Sequence, residues 1–257
     1  MIESNTLHYL LLPSIIFLVA AVYSSVGHGG ASGYLAVMSF FAFSPEQMSS
    51  SALLLNVMVA TLAFVMYRRG GHRLPAFSWP IILFAVPFAF IGGMLRVDAH
   101  IYKLLLSAVL VFAAARIGVV RNSGQLDALR APHIWSVVGS GSAIGLLSGI
   151  VGVGGGIFLS PLALLLRWAT VKPVATLSAL FILVNSLAGL AGRAISNKLT
   201  LAPAAGVIVG AFLGGLLGSY VGANRVSPIW LRRLLAIVLL MASTKLILAT
   251  LRAWHIF

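Results

Sequence analysis

The 257-residue sequence contains no cysteine, so it builds neither a disulfide framework nor a thiolate metal site. Acids are almost as scarce. Glu3, Glu46, Asp98 and Asp127 stand against 17 lysines and arginines, and none lies deep in an apolar stretch, which excludes the buried carboxylate relay used by many pumps. Charged residues of both signs make up only 8% of the chain, about a third of the share in soluble domains. The histidines at 8, 28, 72, 100, 133 and 255 show no i, i+4 pairing, so a zinc site is not expected. There is no Gly-Lys-Ser/Thr nucleotide loop, and Gly27-His-Gly-Gly30 lacks the strand and helix context of a dinucleotide site. No cofactor and no enzymatic activity are expected, the one catalytic pairing on offer being a serine with His28, as in an intramembrane protease.

Sixty per cent of the residues are apolar and the mean hydropathy is +1.07, which makes the chain an integral membrane protein. Uncharged stretches from Gln47 to Tyr67, Leu74 to Leu95, Ala131 to Leu166, Pro173 to Gly192 and Leu199 to Asn224 each reach the roughly 20 residues that a helix needs to cross hydrocarbon. Leu104 to Ala115 and Leu234 to Thr244 are shorter between charges, but flanking lysines and arginines snorkel. A first span over Leu7 to Val26 has no Lys or Arg ahead of it, which argues against a cleaved signal. The net charge of +13 is spread singly between apolar spans. That pattern reads as interfacial anchors facing membrane lipid, with no nucleic acid partner. Trp79, Trp135, Trp168, Trp230 and Trp254 all fall near span ends, where an aromatic belt places them.

The sequence repeats itself in order. Ser24-Ser-Val-Gly-His-Gly-Gly-Ala-Ser-Gly-Tyr34 resembles Ser148-Gly-Ile-Val-Gly-Val-Gly-Gly-Gly-Ile-Phe158. Pro45 and Asn56 answer Pro173 and Asn185, Ala89-Phe-Ile-Gly-Gly-Met-Leu95 answers Ala211-Phe-Leu-Gly-Gly-Leu-Leu217, and Lys103 to Leu110 answers Arg232 to Leu239. The expected fold is an all-α polytopic membrane protein of two homologous halves. Residues 1–120 form the first repeat, 121–133 a polar linker and 134–257 the second repeat. Each half has four main transmembrane helices and a short glycine-broken or re-entrant segment, for 8 to 10 membrane segments. If the short segments also cross, each half has an odd number of crossings and the second is inverted. Lysines and arginines then divide 11 to 6 in favour of the side holding the Tyr67 to Arg73 loop, against 10 to 7 for eight crossings.

A glycine run breaks a helix, and in lipid the freed backbone groups must face protein or a wet cavity. Paired breaks in the two halves are the mark of a midplane substrate site. Helices restarting near Ala31 and Ile157 aim free N–H groups and the positive ends of their dipoles at the breaks, which suits an anion. The candidate substrate-binding residues of the first half are Ser24, Ser25, Gly27, His28, Gly29, Gly30, Ser32 and Asn56. Those of the second are Ser148, Gly149, Gly152, Gly154, Gly155, Gly156, Asn185 and Arg193. His28, whose place in the second motif is taken by Val153, is the one group there that titrates near neutrality. Arg193, two turns after Asn185 and close to the end of its span, either snorkels to the interface or draws an anion toward a vestibule. An interior-negative potential expels a monoanion with about 2.3 kcal/mol per 100 mV, so outward uniport needs no proton site, whereas uptake would need one.

At these motifs the chain resembles the TauE/SafE sulfite exporter family, which carries a duplicated Gly-rich segment running into an apolar stretch with Pro, here Gly149 to Pro161. The resemblance extends from about Leu11 to Leu251. It implies export of sulfite, an organosulfonate or another small sulfur-containing anion through the cell inner membrane. The first motif departs from the commoner Gly-Gly-Gly-Gly form at His28 and Ala31-Ser-Gly33 and lacks the terminal Pro. The alternatives are an anion channel, a carrier for a different carboxylate or oxyanion, and a scaffold subunit that transports nothing. Small-residue helices also permit a homodimer.

Overall fold

The computed structural model describes residues 2–38, 41, 43–95, 97, 101, 129–201, 205–227, 230 and 244. Its regular elements are α1 (Ile2–Ser24), α2 (Ala31–Met38), α3 (Pro45–Arg69), α4 (Ser78–Met94), α5 (Ile134–Val151), α6 (Gly156–Leu165), α7 (Val171–Ile195) and α8 (Ala205–Asn224). Four of these, α3, α5, α7 and α8, are long and apolar enough to cross a membrane, and α1, α4 and α6 hold shorter apolar helices. The expected crossing over 102–120, linker residues 121–128 and the segment 231–243 lie outside the described residues. Local chemistry sets the ends. Ser44 caps α3 by accepting from the Gln47 N–H at 3.2 Å, and its own N–H donates to Gln47 Oε1 at 2.9 Å, a capping box with proline in the first turn.

Polarity is partitioned as a bilayer requires. Trp79, Leu83 and Trp135 are 67%, 68% and 74% exposed, whereas Ser50, Asn56, Ser148, Ser178, Asn185 and Ser186 are fully buried. Polar groups between helices avoid the cost that hydrocarbon would impose on them.

In the centre α3 packs on α7, while α4 packs on α5 and α1 on α8. Glycine makes the outer pairs close. A Cβ on Gly145 or Gly149 of α5 would collide with the carbonyl of Ala85 or Ala89 on α4, and one on Gly214, Gly218 or Gly222 of α8 with the carbonyl of Phe17, Ala21 or Ser25. In both pairs the two residue numbers climb together, so the paired helices run parallel. By contrast, Ser50 Oγ donates to the Lys198 carbonyl at 3.5 Å and Asn56 Nδ2 to Ser186 Oγ at 3.4 Å, with Lys172 Nζ 5.9 Å from the Tyr67 ring centre. The residue numbers run oppositely there, so α3 and α7 are antiparallel.

The helix ends therefore sort onto two sides. α1, α3 and α8 finish together: Tyr67 Oη donates to the Ser25 carbonyl at 2.6 Å, and Lys172 Nζ donates to the carbonyls of Gly222 and Ala223 at 2.8 and 2.7 Å. α4, α5 and α7 finish on the other side, where Lys198 donates to the Met94 carbonyl and Arg193 to the carbonyls of Gly149 and Ile150. Since α1 and α3 share a direction, the chain between them must come back across the bundle. It does so through the first glycine break and α2, and the second break and α6 do the same between α5 and α7. The short segments are returning passages rather than re-entrant turns.

The close pairs predict two opposite outcomes on one helix. Gly145→Ala drives a methyl into backbone that cannot move aside and is expected to cost about 1–3 kcal/mol, the range for overpacking. A Cβ at Gly139, nearly two turns away, meets nothing within 4 Å, so Gly139→Ala is expected to gain up to about 1 kcal/mol from helix propensity. Thermal melts in detergent read both, and equal shifts would contradict the packing described.

Candidate functional site

The first break forms because α1 runs out at two serines and a glycine with a left-handed conformation. Ser24 and Ser25 turn their hydroxyls back onto the Ala21 and Val22 carbonyls at 3.4 and 2.7 Å, the usual local bonding of serine in a buried helix. Gly27 takes φ +78°, and its Cβ position is filled by the backbone of Ala175 on α7, so only glycine fits. The space above Gly29 is taken by the Asn56 carboxamide, whose Oδ1 accepts from the Ala31 N–H at 3.1 Å. That bond satisfies one donor at the start of α2. Tyr34 leans back toward the same helix start, as helical side chains do, and lays its ring over Gly30. Ser32 Oγ donates to Tyr23 Oη at 3.0 Å.

In the second break α5 ends at Gly152, whose N–H donates to the Ser148 carbonyl at 2.8 Å and whose φ is +82°. α6 starts from Gly155 at φ +84°, where a Cβ would press on Phe181 Cε1 at 2.7 Å and Ile144 Cγ2 at 3.0 Å. Gly149 packs on α4 and Gly152 on Ser49 of α3. Arg193 is buried and places its guanidinium on the Gly149 and Ile150 carbonyls at 3.2 and 3.1 Å. It caps α5, complementing the negative end of that dipole, rather than facing a vestibule.

The two breaks meet. Asn56 lies over Gly29 and also 2.7 Å from where a Cβ of Gly154 would stand, and Ile182 crowds Gly29, Gly154 and Gly156 alike. His28 crosses from one break to the other, its Nε2 3.1 Å from the Gly156 carbonyl and 2.9 Å from Ser160 Oγ, which is 2.6 Å from Ser178 Oγ.

Around this junction four side chains keep buried polar atoms without partners: both amide atoms of Asn185, Ser148 Oγ, His28 Nδ1 and Tyr34 Oη. Asn185 lies one turn from Phe181, which touches Gly155, and one turn from Gly189, which abuts Gly149. An unmet buried donor or acceptor costs about 1–3 kcal/mol, and the carboxamide alone has two such atoms. The arrangement offers neutral donors and acceptors between two helix starts, with no lysine or arginine among those four. Such a set holds a small oxyanion without trapping it.

Of the residues singled out in the sequence, Gly29, Gly154, Gly155, Gly156, His28 and Asn56 come together at the junction, with Ser148 and Asn185 beside it. Ser24, Ser25 and Ser32 spend their hydroxyls locally, Gly27, Gly149 and Gly152 serve helix packing, Gly30 underlies Tyr34, and Arg193 caps a helix. Tyr34, Ser160, Ser178 and Ser186 were not singled out. Their signal was weak, since hydroxyl residues are common in transmembrane helices and only the fold brings Ser160 to His28. Among the described residues no group of three His, Asp or Glu gathers as a metal would need.

The profile described as Sulfite exporter TauE/SafE matches residues 12–246. A Sinorhizobium fredii protein named "Probable membrane transporter protein y4hK" is 30% identical over 234 residues, covering 90% of this chain and 95% of its own length. No solved structure matches.

Proposed function

The chain belongs to the sulfite exporter TauE/SafE family of membrane transporters, and from that premise we propose that it carries a small sulfur-containing anion, sulfite or an organosulfonate, outward across the cytoplasmic membrane. The anion binds where the two glycine breaks meet. The observation that carries this reading is the cluster of buried, unpartnered polar atoms on Asn185, Ser148, His28 and Tyr34 at the junction. A protein that merely packed its helices would gain by replacing them with apolar groups; a carrier needs them vacant until its cargo arrives. The positive ends of the α2 and α6 dipoles point to the same place and favour a negative charge.

The opposed directions of the described helices support two inverted repeats, 1–120 and 134–257, of five passages each, with 121–133 between them. In that arrangement the lysines and arginines divide 11 to 6, which puts the Tyr67 to Arg73 loop in the cytoplasm. Rocking one repeat against the other then exposes the junction to each side in turn.

The test is a flux panel in proteoliposomes with sulfite, thiosulfate, sulfoacetate, taurine, acetate and chloride. Transport of one or more sulfur anions above protein-free vesicles, with slow chloride, is the expected result. A panel in which no sulfur anion moves would overturn the reading, and equal rates for all anions would replace the carrier by a channel.

A further inference from the structure

The hydrogens around His28 can be placed from its partners. A carbonyl oxygen only accepts, and the Gly156 carbonyl lies 3.1 Å from Nε2, so Nε2 carries a hydrogen. Ser160 Oγ, 2.9 Å from the same nitrogen, shares that hydrogen and turns its own toward Ser178 Oγ. In a neutral imidazole this leaves Nδ1 as a bare acceptor. That atom has no partner, on a side chain only 2% exposed.

The groups facing His28 supply nothing to correct this. From α1, the Tyr23 carbonyl accepts the His28 backbone N–H at 2.9 Å, and the Tyr23 phenol is occupied with Ser32. From α2 comes the Tyr34 phenol over Gly30, from α3 the Asn56 carboxamide over Gly29, from α6 Gly156 and Ser160, and from α7 Ser178. The two phenols are the titratable groups of this set, and it contains no carboxylate, lysine or arginine.

A bare oxyanion brought to Nδ1 would set lone pair against lone pair in a medium of low dielectric, where the repulsion is strong. One proton reverses the sign of that contact. On the ring it makes an N–H donor toward the anion, and on the anion it makes an O–H donor toward the ring.

We propose, resting on the carrier reading above, that one proton crosses with each anion and that His28 Nδ1 is where proton and anion meet. The proton enters with the cargo on one side and leaves with it on the other, and the imidazole returns to its neutral form. For a monoanion the cycle moves no net charge. The membrane potential, sufficient for a uniporter, then exerts no force on it; an inside-alkaline pH gradient drives the pair inward, and export runs down the anion's own concentration gradient.

Proteoliposomes loaded with the pH dye pyranine test this, with tracer uptake of hydrogen sulfite, methanesulfonate and isethionate, all monoanions in mildly acid buffer, measured in parallel and the potential clamped by potassium and valinomycin. The expected result is a proton signal that matches anion movement one for one and does not change with the clamped potential. In His28→Gln the amide keeps a donor for the Gly156 carbonyl but cannot titrate, and the response to a pH gradient is lost. Thr61→Ala, on the exposed face of α3, leaves the junction untouched and keeps the coupling. Anion movement without proton movement, or steered by the potential, overturns the proton proposal and leaves the carrier standing. No movement of any of the three anions overturns both.

Discussion

Asn185→Leu is expected to melt at a higher temperature than the wild type while losing nearly all anion flux. Leucine has the same branching at Cγ, so the substitution changes polarity far more than shape. The wild-type carboxamide is fully buried with neither its donor nor its acceptor engaged, a burden of about 1–3 kcal/mol that an apolar group of similar volume removes. The lost hydrogen bonds to a charged cargo are worth about 1.5–3 kcal/mol, roughly a tenfold to hundredfold weakening. The two readouts must move in opposite directions. Thermal melts in detergent and flux in vesicles measure them, and a variant that melts lower or transports normally would show Asn185 to be an ordinary interhelical tie.

The second large effect is expected from the glycines of the two breaks. Gly29 has ordinary backbone angles, so an alanine there is not strained by conformation, but its methyl collides with Asn56 Oδ1. Gly29→Ala must push the carboxamide off the Ala31 N–H and away from the junction. Gly155→Ala adds strain, because the residue sits at φ +84° with Phe181 and Ile144 against the new Cβ; such a conformation costs about 1–3 kcal/mol outside glycine. Both variants are expected to lose about tenfold or more in flux, the factor that 1.4 kcal/mol produces, and Gly155→Ala is expected to melt lower as well. Unchanged rates in both, at matched protein content, would remove the breaks from the transport path.

How much of this was legible in the sequence depends on whether a residue's role is local. The glycine runs, the helix starts that follow them and the two buried asparagines were readable, because backbone breaks and polar groups in hydrocarbon are anomalies wherever they occur. The serines could be read either way: in a helix a hydroxyl finds the carbonyl three residues back, as Ser24 and Ser25 do, and its hydrogen is then not offered to a ligand. Nothing in the local sequence shows what Arg193 touches. Its partners are carbonyls more than forty positions away. The match between Tyr34 and Phe158 hid the fact that one of the two carries a hydroxyl over its glycine break.

Composition and the lengths of the uncharged stretches by themselves determined a multi-pass helical protein with two glycine interruptions, since the bilayer's demand for long apolar helices leaves almost no other solution. They left undetermined whether the short segments cross or turn back, because crossing and turning bury the same number of apolar residues. The tertiary structure decided it through register: glycine faces matched against distant carbonyls fix which helices run together, and those directions require the broken segments to return. The same long-range packing joined the two interruptions at one centre, through contacts that span more than a hundred positions and that no local pattern encodes.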